Sequence, residues 1–576
     1  MRVHHKFLIL LPLVAGLASV ARAAPMRPVH AQHAIVASVH ELASRVGAEI
    51  MKSGGNAVDA AVAVGFALAV VHPQAGNIGG GGFMLLRTAD GNARFIDYRE
   101  KAPAAATANM YLDGKGDVIP DASLVGYKAS GVPGSVAGMV YALKKYGTLP
   151  LDRVMAPAIT LARSGFPLTW EDAHDLHDPD LAKFPDSRRI FQRDGNYYKA
   201  GEIFRQPELA HTLERIARNP GDFYHGDMAR ELAAALERGG GLVTARDLAR
   251  YDVKEREVVR GSYRGYDIIS APPPSSGGVA LLEILNILEG YDLARLGNRS
   301  AEAMHLTVEA FRRAYYDRAE FLGDPDFARI PVPQLIDDKY GAAWRASIDP
   351  QHASSSKDLK RPTIFNQLEQ YAAQHPLPTV VHEPENTTHY SVVDAQGEAV
   401  AVTTTLNDSF GSRVTAGALG FLLNDEMDDF ASKPGVPNTY GLIQGPANAI
   451  GPNKRPLSSM TPTIVLKDGK LFLVLGSPGG SRIMTTVANI LMGVIDYGMD
   501  IQQAVNAPRF HHQWLPDEIL IEPGISPDTS ALLVKMGHNL HPAGYWSDGE
   551  CVEVDLKTGE RLGASDGRNN GKPVGY

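Results

Sequence analysis

The sequence predicts an α/β protein, and three observations carry that expectation. β-branched runs fold back on themselves around residues 387–407 and again around the turn at 467–470. Helical blocks separated by short turns fill about residues 120 to 345. Asn56 to Val71 is rich in Ala and Val and apolar on most faces, as a buried helix should be.

In chain order, Ser38-Val39-His40-Glu41 has the spacing of a capping box and opens a helix that stops at Gly54-Gly55. The helix after it carries Asp59 and is too short to span a membrane. Gly76-Asn77-Ile78-Gly79-Gly80-Gly81-Gly82 lacks dinucleotide-binding spacing and leads into a strand, not a helix. Close backbone packing accounts for these glycines better than a phosphate site does. Asp97-Tyr98-Arg99-Glu100 ends the next strand. Ser300 caps a helix running to Leu322, with Met304, Val308, Phe311 and Tyr315 on one face. From 351 to 386 periodicity is lost, and the stretch reads as an exposed, poorly ordered linker.

The stretch from Asn386 to Asn407 then organises the chain. Asp394 and Glu398 bracket Ala395-Gln396-Gly397, the composition of a three-residue hairpin loop with Gly in the left-handed region. With Asp394 opposite Glu398, Val392 faces Val400, Tyr390 faces Val402, and Thr387 faces Thr405. Two hydroxyls would then meet across the ladder. On pattern alone a purely structural hairpin is the simpler account, because threonine fits any pleated surface. A second hairpin turns at Lys467-Asp468-Gly469-Lys470. Its strand Leu471 to Leu475 leads through Gly476-Ser477-Pro478-Gly479-Gly480-Ser481-Arg482 into a helix.

Composition narrows the functional classes. Arg2, His4, His5 and Lys6, the apolar run Phe7 to Val20, and Ala21-Arg22-Ala23 form a secretory signal with cleavage after residue 23, so an exported protein, periplasmic or secreted, is expected. A hydrophobic content of 44% with 21% charged residues is globular. The net charge of −9 speaks against nucleic acid as a partner. Cys551 is the single cysteine, so no intramolecular disulfide forms. No zinc spacing and no Gly-x-Ser-x-Gly elbow is present, and no metal or other cofactor is expected. His511 and His512 are adjacent and diverge in most backbones.

A substrate shaped like an amino acid would need a cation for its carboxylate and anions for its ammonium. Arg99, with the Ser458 and Ser459 hydroxyls, suits a carboxylate. Glu426 and Asp429 suit an ammonium, and share a face only if their turn is helical; a solvated acidic turn is the alternative. Gly479 and Gly480 precede a helix, and their N–H groups could meet a developing oxyanion, although an ordinary glycine turn reads the same way.

Asn386-Thr387-Thr388-His389-Tyr390-Ser391-Val392-Val393-Asp394 resembles the processing site of the γ-glutamyltransferases, which are N-terminal-nucleophile enzymes. The resemblance runs from about residue 33 to Tyr576. It includes Ser-Gly-Gly-Asn-Ala-Val-Asp-Ala-Ala from 53, Pro-Pro-Pro-Ser-Ser-Gly-Gly from 272, Gly-Asp-Pro-Asp-Phe from 323 and Gly-Ala-Ser-Asp from 563. It implies a four-layer αββα sandwich built by both halves of the chain. It implies self-cleavage between Asn386 and Thr387, giving a large subunit, 24–386, and a small catalytic subunit, 387–576, that stay together as a heterodimer.

Carried onto matching positions, the resemblance implies Thr387 as nucleophile with Thr405 hydrogen-bonding it. Asn407, Glu426 and Asp429 surround the glutamyl amino group, Arg99, Ser458 and Ser459 hold the α-carboxylate, and Gly479 and Gly480 form the oxyanion hole. Some relatives carry Gln where Glu426 stands; either accepts from an ammonium. Lys433 to Gly441 matches the family's lid, with Tyr440 as gate. The implied activity is cleavage of the γ-glutamyl amide of glutathione and related compounds, with transfer to water, amino acids or peptides. A glutaryl-type cephalosporin acylase and an uncut, non-catalytic relative remain as alternatives.

Overall fold

The computed structural model describes residues 26–365, 368, 387–436, 438 and 441–576. Two seven-stranded antiparallel sheets lie face to face. The first runs Val574–Gly575, Ile35–Ser38, Thr388–Val393, Ala399–Thr405, Gly81–Arg87, Ala93–Asp97, Lys254–Arg256. The second runs Val29–Ala31, Arg561–Ser565, Glu550–Val554, Lys470–Leu475, Thr463–Lys467, Tyr266–Ser270, Val259–Tyr263. Sequence before and after position 387 contributes to both.

The two-residue period of a strand explains the layering. Val36, Met84, Leu86, Val392, Val400 and Val402 face outward and pack with helices Glu41–Lys52 and Ala57–Val71. Ile35, Ala37, Phe83, Leu85, Val393 and Ala401 turn inward and join one core with the second sheet and helices Gly277–Leu288, Ala301–Phe321 and Ile483–Ile495. The order is helix, sheet, sheet, helix: the expected αββα sandwich. Strands buried on both faces have no polar side, which is why Ala399–Thr405 is buried throughout. Among the described residues no helix is long and apolar enough to cross a membrane.

The central hairpin has the expected register. Thr388 pairs with Thr404, Tyr390 with Val402 and Val392 with Val400. Gly397 takes φ +78°, and the Asp394 N–H donates to the Glu398 carbonyl at 3.0 Å. The odd-numbered residues of both strands face the second sheet: the Ser391 hydroxyl donates to the Glu550 carbonyl at 2.7 Å, and the His389 ring lies against Gly476. Thr387 and Thr405 share that parity, so strand geometry aims both at the glycine turn that follows Leu475. The Ala/Val segment forms Ala57–Val71, buried along its whole length, and Ser300 caps Ala301–Phe321 by accepting from the Ala303 N–H at 3.1 Å.

Two expectations are corrected. Ser38 does not cap a helix: it ends a strand, pairs with Tyr390, and places its hydroxyl 2.7 Å from that of Ser44. The cap of Glu41–Lys52 is His40, whose Nδ1 accepts from the Leu42 N–H at 3.2 Å. A full capping box opens the next helix, at Asn56 and Asp59. Residues 351–365 are not a loose linker either. Ser354 N–H donates to Glu309 Oε1 at 3.1 Å, Ser356 N–H to Asp517 Oδ2 at 2.8 Å, and Arg361 pairs with Glu320 at 2.9 Å. Apart from Leu368, the rest of that stretch, with Asn386, and the signal segment at residues 1–23 lie outside the described residues.

Candidate active site

The inward-facing threonines open onto a cleft of about 280 Å³. Its lining includes Arg99, Thr387, Thr405, Asn407, Glu426, Asp429, Ser458, Ser459 and Gly480, contributed by six separate stretches of sequence. The Thr387 and Thr405 hydroxyl oxygens are 3.3 Å apart. Thr405 Oγ1 is fixed from behind by the Asn407 N–H at 2.8 Å. Asn407 holds φ +86°, a region Asn tolerates better than most residues, and its side-chain amide donates to the Asp425 carbonyl at 3.2 Å. The same loop carries Phe410 at φ +60° and Arg413 at +62°. Such strain persists only where surrounding contacts impose it.

The charged end of the cleft centres on Arg99. The strand Ala93–Asp97 ends just before it, and the Arg99 N–H donates to Asp97 Oδ1 at 2.9 Å. Its guanidinium donates to Glu426 and to Asp429, and also to the carbonyls of Pro456 at 3.3 Å and Leu457 at 3.2 Å. Glu426–Asp429 is a 3-10 turn, and that helical geometry brings both carboxylates to one side. Burial works against the Arg99 charge, yet Glu426, Asp429 and Glu100 together raise its pKa. Burial pushes Glu426 well above the ordinary carboxylate range; Arg99 opposes this and Glu100 adds to it. Glu426 Oε2 is buried with no hydrogen-bond partner among the described residues. An acceptor left unmet in this way is costly unless a donor arrives. A ligand ammonium is such a donor.

Ser458 and Ser459 are held by two braces. Ser458 N–H donates to the Pro274 carbonyl at 2.9 Å, and the Ser276 hydroxyl to the Ser458 carbonyl at 2.6 Å. Arg318 reaches from Ala301–Phe321 to Ser276 Oγ at 2.9 Å and Ser459 Oγ at 3.1 Å. Gly479 takes φ +123° and Gly480 +53°. A Cβ on Gly479 would overlap the Ser547 hydroxyl, so both the conformation and the packing require glycine there. Gly480 lines the cleft directly. Tyr440 lies outside the described residues, but its neighbour Leu442 lines the cleft, and the Asn438 side chain stands 3.5 Å from Asp429 Oδ1.

Sequence reasoning missed Glu100, Arg318 and Asp425. All three act through other residues, so nothing in their local pattern marks them. It also missed a compact group of His305, Glu309 and His538 outside the cleft. His305 Nδ1 lies 2.7 Å from His538 Nε2, and Glu309 pairs with both Arg312 and Arg313. Two guanidinium groups on its one carboxylate set that group against a cation.

The gamma-glutamyltranspeptidase family matches residues 43–576. The chain belongs to that family. A glutathione hydrolase proenzyme of Pseudomonas sp. (strain A14) is 52% identical over 525 residues, 89% of this chain and 88% of that protein. Among solved structures, the Helicobacter pylori gamma-glutamyltranspeptidase is 43% identical with a TM-score of 0.56, covering 59% of this chain and 97% of that one. The cephalosporin acylase from Bacillus halodurans is 26% identical with a TM-score of 0.81, covering 97% and 98%. This γ-glutamyltranspeptidase-family chain therefore shares its architecture with acylases as well, and the cleft must separate the two activities.

Proposed function

We propose that the chain is an exported γ-glutamyltransferase and glutathione hydrolase that cuts itself between Asn386 and Thr387. The observation that carries this is one cleft in which the paired Thr387 and Thr405 hydroxyls meet Arg99, Glu426 and Asp429. In the precursor the Thr387 hydroxyl attacks the carbonyl of Asn386; the resulting ester hydrolyses and leaves Thr387 with a free α-amine. That amine has a reference pKa of about 7.7–8.0, suited to taking the hydroxyl proton at neutral pH. One residue then supplies both nucleophile and base.

The mature Thr387 attacks the γ-amide of glutathione, with Gly479 and Gly480 N–H groups at the oxyanion. The carbon–nitrogen bond breaks, the amine leaves with the proton as cysteinylglycine, and a γ-glutamyl ester stays on Thr387. Water or an amine then takes the acyl group. Substrate entry exchanges partners: the α-carboxylate takes up Arg99 and the Ser458 and Ser459 hydroxyls, while the α-ammonium goes to Glu426, Asp429 and Asn407.

The acylase reading rests on the Bacillus halodurans likeness. A glutaryl group is a glutamyl group without its ammonium, and would leave Glu426 and Asp429 buried against apolar hydrogen. The first experiment is the intact mass of the purified protein, followed by turnover of glutathione against a glutaryl amide. The expected result is two pieces, the smaller beginning at Thr387, and a preference for glutathione; Thr387→Ala should remain uncut and inactive. An active, cut Ala variant would overturn the mechanism, and a glutaryl preference would overturn the substrate.

A further inference from the structure

Two arms of the cleft meet on one side chain that does not itself line it. Asn448 is fully buried at the end of the short 3-10 turn Pro446–Asn448. Its side-chain amide nitrogen donates to the Asp429 carbonyl at 2.6 Å and to Gln444 Oε1, and its Oδ1 accepts from the Leu457 N–H at 2.9 Å. We propose that Asn448 is a positioning residue for the donor. It fixes the spacing between the ammonium arm, Glu426–Asp429, and the carboxylate arm, residues 457–459, and so selects a group that carries both charges on one carbon. The inference rests on the γ-glutamyl reading of the cleft and extends it.

The orientation of the Asn448 amide follows from its partners, because a carbonyl only accepts and a backbone N–H only donates. One planar group therefore holds the main chain of both arms. The contacts around it are just as direct. The Ala431 N–H donates to the Asn448 carbonyl at 3.0 Å, which zips the end of the ammonium arm to this turn. The Gly445 N–H donates to the Ala319 carbonyl at 2.9 Å, one residue along Ala301–Phe321 from Arg318, which reaches Ser459. Lys454 Nζ donates to the Ala447 and Ala449 carbonyls at 2.6 and 2.9 Å. The turn that carries Asn448 is thus pinned to a core helix, and its amide serves as a fixed gauge.

A second tie joins the same two arms, and the donor removes it. Arg99 Nη2 donates to Asp429 Oδ2 and, at 3.2 Å, to the Leu457 carbonyl. On the proposed exchange of partners, the donor carboxylate takes Arg99 from Asp429, and Asp429 turns to the ammonium. That link between the arms is lost while the donor pulls on both. Asn448 grips the arms only through main-chain atoms, so its bridge survives the exchange. An ammonium and a carboxylate on one carbon stand at a single spacing. A small drift of either arm then costs one of the two ends its hydrogen bonds. A ligand with a carboxylate alone needs no such spacing.

The test uses the self-cleaved enzyme with γ-glutamyl-p-nitroanilide and with glutaryl-p-nitroanilide, which keeps the carboxylate and lacks the ammonium. Asn448→Asp keeps the acceptor for Leu457 and sets an oxygen against the Asp429 carbonyl. It should raise the γ-glutamyl KM about tenfold, on the scale of one buried hydrogen bond left unmet, with kcat within about threefold of the parent. The glutaryl KM, or its inhibition constant against the first donor if it is not cleaved, should stay within about twofold, so the preference for the ammonium falls. Gln444→Met keeps the bulk and removes the acceptor that orients the amide; it should raise the γ-glutamyl KM about threefold, and it decides should Asn448→Asp fail to fold. An unchanged γ-glutamyl KM, or equal losses on both donors, would overturn the inference while leaving donor cleavage intact. A parent enzyme that prefers the glutaryl donor would overturn the reading of the cleft itself, and this one with it.

Discussion

On the proposed function, Arg99 is the residue on which the cleft's selectivity turns. It is buried among three carboxylates, Glu100, Glu426 and Asp429, so one cation serves an excess of negative charge. A zwitterionic ligand relieves that imbalance, because its ammonium satisfies acids that Arg99 alone cannot. The fork geometry matters as much as the charge: two guanidinium nitrogens reach two different carboxylates, and the same fork can take one carboxylate in both oxygens. A lysine keeps the charge and loses the fork. Arg99→Lys should therefore raise the donor KM about ten- to hundredfold, on the scale of one charge-assisted hydrogen bond. Steady-state kinetics with γ-glutamyl-p-nitroanilide read this directly, and a donor KM equal to the parent's would show that the fork plays no part. The residues at this end were legible because Arg, Glu, Asp and Ser are informative types in distinctive text. Glu100 was not, because a glutamate beside an arginine on a strand end carries no sign of its burial.

At the scale of elements, the central hairpin was the most legible part of the chain. Its register follows from the loop Ala395-Gln396-Gly397, and a single-residue slip would put Thr387 and Thr405 on opposite faces, turning one of them away from the cleft. The loop also holds an ionisable anomaly. Burial, with Asp394 and Asp59 nearby, lifts the Glu398 pKa from its ordinary 4.5 to about 7. Between those values the folded protein keeps a proton that the unfolded chain has released, so stability falls as pH rises through that window and the cost is complete above pH 7. Glu398→Gln carries no such cost. Its advantage should be absent near pH 4.5 and reach ~1 kcal/mol or more at pH 8, on the scale of about 1.4 kcal/mol for each pKa unit. Denaturant midpoints at several pH values check this; an advantage independent of pH would mean that Glu398 is not the cause. Elements misread from sequence failed for a different reason. Ser38 has the spacing of a cap, but pairing with Tyr390 claims its backbone for a strand. Residues 351–365 lack periodicity because their order comes from distant partners, Glu309, Glu320 and Asp517, which no local pattern encodes.

For the whole molecule, the decisive feature is that position 387 divides the sequence without dividing the fold. Thr388–Val393 sits between Ile35–Ser38 on one side and Ala399–Thr405 on the other, and Ala399–Thr405 in turn pairs with Gly81–Arg87. In the second sheet Tyr266–Ser270 pairs with Thr463–Lys467, and Val29–Ala31 with Arg561–Ser565. Neither stretch can therefore complete either sheet alone, and separating them would expose unpaired edges and both faces of a core shared by the two sheets. On the proposed self-cleavage, the pieces 24–386 and 387–576 should migrate as one species in size-exclusion chromatography and as two on a denaturing gel. They should also unfold in a single transition, at the same denaturant concentration by tryptophan fluorescence and by circular dichroism, since shared sheets leave no independent unit to unfold first. Two separate transitions would mean that one piece holds a core of its own, and the interleaving of strands would then not be what keeps the cut protein together.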